Sequence, residues 1–334
     1  MASIKDVALK ANVSTTTVSH VVNRTRFVSD KVRGEVEAAI RALDYVPSAV
    51  ARSLKSNTTK TIGMLIPNCS NPYFSEIVRS VEDHCFGAGY TLILCNTDDD
   101  PHRQGAYLQV LSEKRIDGMI IISTGEDRDL LRLLKGLPIP TVLLDREIGE
   151  VNCDLVETAH VQGGMMATEH LLDLGHRRIA CLAGPADLNS SAQRIEGWRR
   201  ALTNAGLAAE VESLLWHSDF SSQGGFNTMQ TILASAQAPS AVFVCNDLMC
   251  MGALSAAHQA GVRVPQDLSL IGFDDIELAK FTSPALTTIA QPKHRIGVTA
   301  VDMVLERIQG GRVQARQVIL QPELIVRNST ARPG

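Results

Sequence analysis

From Thr61 onward the chain alternates short, uninterrupted runs of Val, Ile and Leu with amphipathic helical stretches, and that alternation limits its architecture more than any other feature. The runs are TIGMLIP, TLILCN, GMIIIS and TVLLD, then RIACLAG, LLWHSD, AVFVCND, LSLIGFDD and LTTIAQ. Between them fall FSEIVRSVEDHCFGAG, QGAYLQVLSEK, GGMMATEHLLDLG, AQRIEGWRRALTNAG and DLMCMGALSAAHQAG, closing near a glycine as helices often do. A strand that is apolar throughout has to be covered on both faces, which is the condition of a parallel sheet between helical layers. About 270 residues exceed one ordinary domain, and the pattern occurs twice. The expected fold class is therefore a pair of doubly wound parallel-sheet lobes of the α/β kind, behind a smaller all-α segment.

That segment begins with IKDVALKANVSTTTVSHVVN, residues 4–23, which reads as two short helices joined by a tight turn. Ile4, Val7, Ala8, Ala11, Val13, Val18, Val21 and Val22 form a helical-period apolar stripe that one turn interrupts. Ser14 is placed to N-cap the second helix, so Thr15, Thr16, Thr17, Ser19 and His20 project from its first turns, where they can reach base edges in a major groove. Threonine is a mediocre helix former, so three in succession at a helix start call for a reason beyond propensity. Charge supplies one. Residues 1–60 hold ten Lys and Arg against five acids, a net +5, whereas the remainder carries a net −9 that the overall −4 conceals. A solvated helical hairpin, the plainer reading, explains neither feature.

The segments IKDVA, VSTTTVSHVVN, RFVS and YVPSAVARSLK together resemble the DNA-binding headpiece of the lac repressor family, and the likeness extends along the whole chain. Within that family the ribose-responsive members are most similar and the purine-responsive ones next. The resemblance implies a headpiece over residues 1–46, with a third helix from about Asp30 to Leu43, and a hinge and linker over 47–60. It implies DNA contacts from Ser14, Thr15, Thr16, Thr17, Ser19, His20, Asn23 and Arg26, and from Ser48, Ala51, Leu54 and Lys55 in the hinge, where Leu54 would wedge into the minor groove. The residues of the hinge agree: Pro47 and Ser48 form a helix entry, SAVARSLK contains good helix formers, and SNTTK is a polar linker. So short a helix does not stand alone, so folding on the operator would make it a switch element. For the core the family implies a periplasmic-binding-protein-like architecture over 61–334, with lobe 1 at 61–159 and 292–321 and lobe 2 at 160–291 and 322–334. The chain would cross between lobes near Ala159, Gln291 and Pro322.

In such a fold a ligand sits outside the carboxyl ends of the strands. Those positions hold Asn71, Tyr73 and Phe74; Asp145 and Arg146; Arg194, at an expected helix start; Phe220; Asn246 and Asp247; Phe273 and Asp274; and Gln291. Asp, Asn, Gln and Arg can clamp vicinal hydroxyls while an aromatic face covers the C–H side of a ring, a combination suited to a sugar. Asp247 alone is set aside as the cap of the helix that follows it. The remaining eleven positions resemble the ribose contacts of periplasmic ribose receptors, in NPYF, LLDRE, RIEGW, SDF, CND, GFD and IAQP. The expected effector is D-ribose acting as inducer. The alternatives are a purine-type corepressed regulator and a sugar-binding enzyme.

The sequence shows no Ser-His-Asp or Cys-His arrangement, no HExxH and no phosphate loop, so neither an enzyme, a metal nor a cofactor is expected. His160, His170, His176, His258 and His294 read as solvent or packing histidines. Seven cysteines with no close CxxC pair, most of them inside apolar runs, read as buried free thiols. No window reaches the about 18 apolar residues of a membrane span, and the first residues do not resemble a signal peptide, so a cytoplasmic protein is expected. The expected partners are double-stranded operator DNA, the small effector and a second copy of the chain in a homodimer; no heptad tail suggests a larger assembly.

Overall fold

The computed structural model describes residues 2–46, 58–122, 134–136, 139–145, 152–236, 238–312 and 314–334. Its contacts divide the chain into two units, Met1–Thr59 and Lys60–Gly334. Ser48, Ala51, Leu54, Lys55 and Arg146 lie outside the described residues. Among those described, no helix is long and apolar enough to cross a membrane.

The first unit is built from α1 (Ile4–Lys10), α2 (Thr15–Asn23) and α3 (Asp30–Ala42). Ser3 and Asp6 form a reciprocal capping box on α1. Ser14 accepts from the Thr17 amide at 3.1 Å, so it caps α2 and fixes where that helix starts. Arg24 ends α2 in the left-handed region, at φ 51°. Val7, Ala8, Ala11, Val18, Val36 and Ala39 close into a small core, which consumes the apolar stripe and leaves the threonine end of α2 on the surface.

The second unit runs β1 (Thr61–Ile66), α4 (Pro72–Gly87), β2 (Thr91–Asn96), α5 (Pro101–Glu113), β3 (Gly118–Ile122), β4 (Thr141–Leu144) and β5 (Asp154–Thr158). It continues with α6 (His160–Asp173), β6 (Ile179–Ala183), α7 (Asn189–Asn204), β7 (Leu215–His217), α8 (Ser222–Leu233), β8 (Ala241–Val244), α9 (Asp247–Gln259), β9 (Ser269–Asp274), β10 (Thr287–Ala290), α10 (Lys293–Ile308), β11 (Gln317–Leu320) and β12 (Glu323–Ile325). These strands form two six-stranded sheets, in the orders β11-β5-β4-β3-β1-β2 and β12-β10-β9-β8-β6-β7. The central strands β3, β6 and β8 are buried at every residue, as their uninterrupted apolar runs require.

Each sheet reverses its strand order around its first strand, β1 or β6, and α4 and α7 follow those strands. That is where doubly wound folds bind ligands. The chain leaves the first sheet after β5, returns after β10 to place α10 against α4, β3, β4 and β5, and leaves again between β11 and β12. One strand departs from the all-parallel expectation: β12 pairs antiparallel with β10. Only Gln321 and Pro322 separate it from β11, so the chain crosses the cleft directly and enters the second sheet at the carboxyl end of its neighbour. A strand entering from that side has to run backwards. In the second lobe α6 and α7 cross so closely that a Cβ on Gly197 would come within 2.1 Å of the Val161 carbonyl oxygen, which only glycine permits.

Candidate functional site

Two sets of residues stand out, one in each unit. On α2, Thr15, Thr16 and Asn23 are exposed, while Thr17, Ser19 and His20 are half-buried. Thr16, Ser19 or His20, and Asn23 follow the helical period on the side opposite Val18. Some of these groups already have partners within the unit. The Thr17 hydroxyl lies 2.9 Å from that of Ser14, Asn23 Nδ2 donates to the Ser19 carbonyl at 2.9 Å, and His20 Nδ1 lies 2.7 Å from the Thr25 hydroxyl. Among the expected DNA contacts, Thr15, Thr16 and Arg26 are exposed.

Between the two sheets of the second unit lies a cleft of about 370 Å³. Asn71, Tyr73, Phe74, Asp145, Arg194, Phe220, Asn246 and Asp274 all line it. Phe273 and Gln291 do not; they support the lining from behind. Phe273 precedes Asp274 in β9, and neighbouring strand residues face opposite sides, so its buried ring lies under the Arg194 guanidinium at 3.9 Å. Gln291 donates to Asp274 Oδ1 at 2.8 Å and accepts from the Tyr73 hydroxyl at 3.1 Å. Arg194 falls in the second turn of α7, since that helix begins at Asn189, five residues before it. The cap of α9 is Asn246, whose Oδ1 accepts from the Met249 amide at 2.9 Å. Asp247 has another task, binding the Thr288 hydroxyl at 2.7 Å and the Ile276 amide at 3.0 Å from a fully buried position.

The backbone sets these side chains by force. Asp145, Phe220 and Asp274 have φ of 53°, 62° and 113°, a region that costs a non-glycine residue about 1–3 kcal/mol and clusters at functional sites. Phe220 is the bulkiest of the three, and its ring is packed on Gly184, where an added Cβ would meet it at 2.2 Å. Each residue follows or ends a strand, so a left-handed kink turns its side chain into the cleft.

Charges in the cleft are arranged across both lobes. Asp145, after β4, accepts from the Tyr73 hydroxyl at 2.8 Å and the Thr158 amide at 2.9 Å, and lies 3.2 Å from His160 Nε2. Burial raises its pKa, but His160, Thr158 and Tyr73 outweigh burial and hold it below the usual carboxylate value. Asp274 behaves oppositely. Burial pushes it up to about 6, against the pull of Arg194, whose Nη1 is 3.8 Å away, of Gln291 and of Lys293. Burial likewise raises Tyr73 well above the ordinary phenol value, with Asp145 and Asp274 adding to it, so its hydroxyl stays a donor.

His160, expected to be a solvent or packing residue, is a buried member of this network. It starts α6 directly after β5, so the carboxyl-end rule reaches it once β5 is recognised as a strand; DLVET has too few apolar residues to announce one. Asn68, Ser70, Asp99, Asp219 and Ser221 from loops, and Ser190 from the first turn of α7, also line the cleft, as small polar residues with no distinguishing sequence signal. The expectation of buried free thiols holds for five of the seven cysteines and fails at two, since Cys69 is exposed and Cys153 half-buried. Cys181 and Cys245 have sulfurs 3.7 Å apart, well beyond a disulfide bond.

Comparison with known proteins accounts for both sets. Residues 3–48 match the family model described as bacterial regulatory proteins, lacI family, and residues 168–330 match a periplasmic binding protein-like domain. The ribose operon repressor of Escherichia coli is 45% identical over 98% of this chain and 100% of its own length. The HTH-type transcriptional repressor PurR of Photobacterium profundum is 44% identical over 98% of each chain. Among solved structures, the lac repressor dimer bound to operator and the anti-inducer ONPF superposes with a TM-score of 0.89, at 31% identity over 99% of each chain. A LacI family transcriptional regulator from Enterococcus faecium with bound ribose superposes with a TM-score of 0.73, at 34% identity over 82% of this chain and 100% of the other. With the headpiece and residues 168–330 of the core each matched to a family model, and curated repressors matched along 98% of the chain at 44–45% identity, this chain belongs to the lacI family of bacterial transcriptional regulators.

Proposed function

We propose that this repressor senses an uncharged sugar, D-ribose first among them, in the cleft between its lobes, and that binding releases it from its operator. The chain is a DNA-binding transcriptional repressor with a ligand-binding core, as its family and relatives establish; its effector is the open matter, since relatives named for ribose and for purine regulation match it about equally. The observation that carries the sugar reading is the composition of the cleft. Asp99, Asp145, Asp219 and Asp274 line it with Arg194 as the cation among the described residues, and Phe74 and Phe220 supply aromatic faces. Carboxylates and amides clamp vicinal hydroxyls, whereas a phosphate ester would meet mostly negative charge. The relative crystallised with ribose supports the same class of ligand.

In this reading a homodimer sets Thr15 to His20 of each headpiece in successive major grooves, in cytoplasm where operator DNA is found, and the hinge residues Ser48, Ala51, Leu54 and Lys55 meet at the centre of the site. Closing the lobes on the sugar separates the hinges. Linkage then requires operator to weaken sugar binding by the same factor as sugar weakens operator binding. Calorimetry with D-ribose, ribose 5-phosphate, hypoxanthine and guanine, beside anisotropy on a labelled operator, tests this. D-ribose binds at one site per chain and releases the operator, and ribose 5-phosphate does neither. Binding of hypoxanthine or guanine without ribose would overturn the sugar reading, and ribose that tightens the operator complex would reverse the switch.

A further inference from the structure

Beneath the cleft, one ring joins the charged groups of the two lobes. Asp145 follows β4 in the first sheet and Arg194 belongs to α7 over the second, and His160, the first residue of α6, lies between them. Its Nε2 is 3.2 Å from Asp145 Oδ1, and its Nδ1 is 3.3 Å from Arg194 Nε. The guanidinium Nε–H can only donate, so Nδ1 has to be the acceptor and the ring proton has to sit on Nε2, aimed at the carboxylate. The ring is 2% exposed and packs against Phe273 at 5.8 Å, so water cannot substitute for either partner. We propose that His160 is a positioning residue of the effector site, a neutral imidazole that accepts from Arg194 in one lobe and donates to Asp145 in the other, so that both groups a ligand meets are set by a single side chain.

Burial lowers the imidazole's pKa, and Arg194 lowers it further against the pull of Asp145, which agrees with the one-proton tautomer the geometry demands. The same contacts hold Arg194 in the lining of the cleft. Its Nε is held by His160, one Nη by the Cys245 carbonyl at 2.5 Å, and its face by Phe273, which leaves the rest of the guanidinium edge for the lining.

The inference rests on the cleft being the effector site, and the experiment separates the two. His160→Gln keeps a donor and an acceptor on one planar group; His160→Leu keeps volume and removes both. In calorimetry with D-ribose the Leu variant binds about 10- to 100-fold more weakly, the range for losing hydrogen bonds to buried charged groups, and the Gln variant stays within about threefold of the parent. A Leu variant with unchanged affinity, or a Gln variant as weak as Leu, overturns the proposal. Nitrogen-15 spectra of the full-length parent protein give a second readout that needs neither variant nor ligand: Nε2 protonated and Nδ1 bare is the expected result, and an Nδ1–H tautomer or an imidazolium refutes the bridge. If the parent protein binds no D-ribose, the sugar reading fails while the spectra still decide on His160.

Discussion

Asp274→Asn should make the effector-free protein more stable at neutral pH while impairing its response. In the folded chain burial moves the Asp274 carboxyl from 3.8 up to about 6, even with Arg194, Gln291 and Lys293 drawing it down. That displacement corresponds to about 3 kcal/mol held against the ionised form in the folded state. The direction follows from the proton balance. With the folded pKa above the unfolded one, the contribution is fully present below about pH 4 and is lost as pH rises through about 6, so at pH 7.5 the parent carries the whole penalty. Asparagine has no charge to bury and can still accept from Gln291 Nε2, now 2.8 Å from Oδ1; its new N–H₂ beside Arg194 offsets part of the gain. The expected gain is about 1–3 kcal/mol at pH 7.5 and near nothing at pH 4. Urea unfolding followed through the buried Trp198 reads both values. A variant less stable than the parent at pH 7.5, or one whose stability falls with pH as steeply, would refute the reasoning. Operator binding without effector should persist, and release by D-ribose should be lost.

At the headpiece, Thr16→Ala should cost about 1–3 kcal/mol at particular base pairs of the operator, whereas Lys5→Ala, if it touches phosphate, should weaken every sequence and flatten the salt dependence; single-base operator variants measured by anisotropy separate the two patterns, and a uniform loss for Thr16→Ala would exclude base reading by α2. Behind the cleft, Lys293 donates to the carbonyls of Asp274 and Asp275 at 2.6 and 2.5 Å and pairs with Glu76 of α4 at 3.3 Å, while Glu76 also accepts from the Glu277 amide of the other lobe. Lys293→Met keeps the stem and strands both carbonyls, so the core should unfold about 1–3 kcal/mol more easily in urea; an unchanged midpoint would show that this tie between lobes carries no load.

The parts of the fold that were legible in the sequence are those that a single physical demand dictates. GMIII, IACLA and AVFV are apolar at each position because they lie in the middle of a covered sheet. At the edges that demand relaxes. QVIL of β11 and ELI of β12 keep exposed or half-exposed residues, and no sequence period separates them from loops. The first turn of α8 contains Gly224 and Gly225, poor helix formers, yet the Gly225 backbone is pressed on Met249 so tightly that a Cβ would come within 2.2 Å of the carbonyl oxygen. For the cleft, the carboxyl-end rule reached Asn71, Tyr73, Phe74, Asp145, Phe220, Asn246 and Asp274 because topology puts strand ends there, whereas Arg194, in the second turn of α7, lies beyond any strand end and is matched only by the family resemblance of RIEGW. It could not tell lining from support. Phe273 and Asp274 are adjacent in sequence and opposite in role, and Gln291 serves the cleft through Asp274 and Tyr73.

Backbone strain and displaced charge come together in the cleft, and both bear on how a ligand would act there. Four non-glycine residues of the lining, Asp99, Asp145, Phe220 and Asp274, hold positive φ, Asp274 is ionised at neutral pH against its surroundings, and His160 is kept neutral between two charges. None of this benefits the folded chain without a ligand. If the effector is the sugar proposed above, hydroxyls bonded to Asp274 and Asp145 would supply the solvation that burial withdrew from both lobes. Differential affinity is the sole means by which a ligand shifts a two-state equilibrium, so the proposed switch requires those contacts to be made better in one arrangement of the lobes than in the other. Asp274 is also where the shift can be passed on, since its side chain faces the cleft while its backbone carbonyl is held by Lys293, which Glu76 ties to the helix that opens with Tyr73 and Phe74.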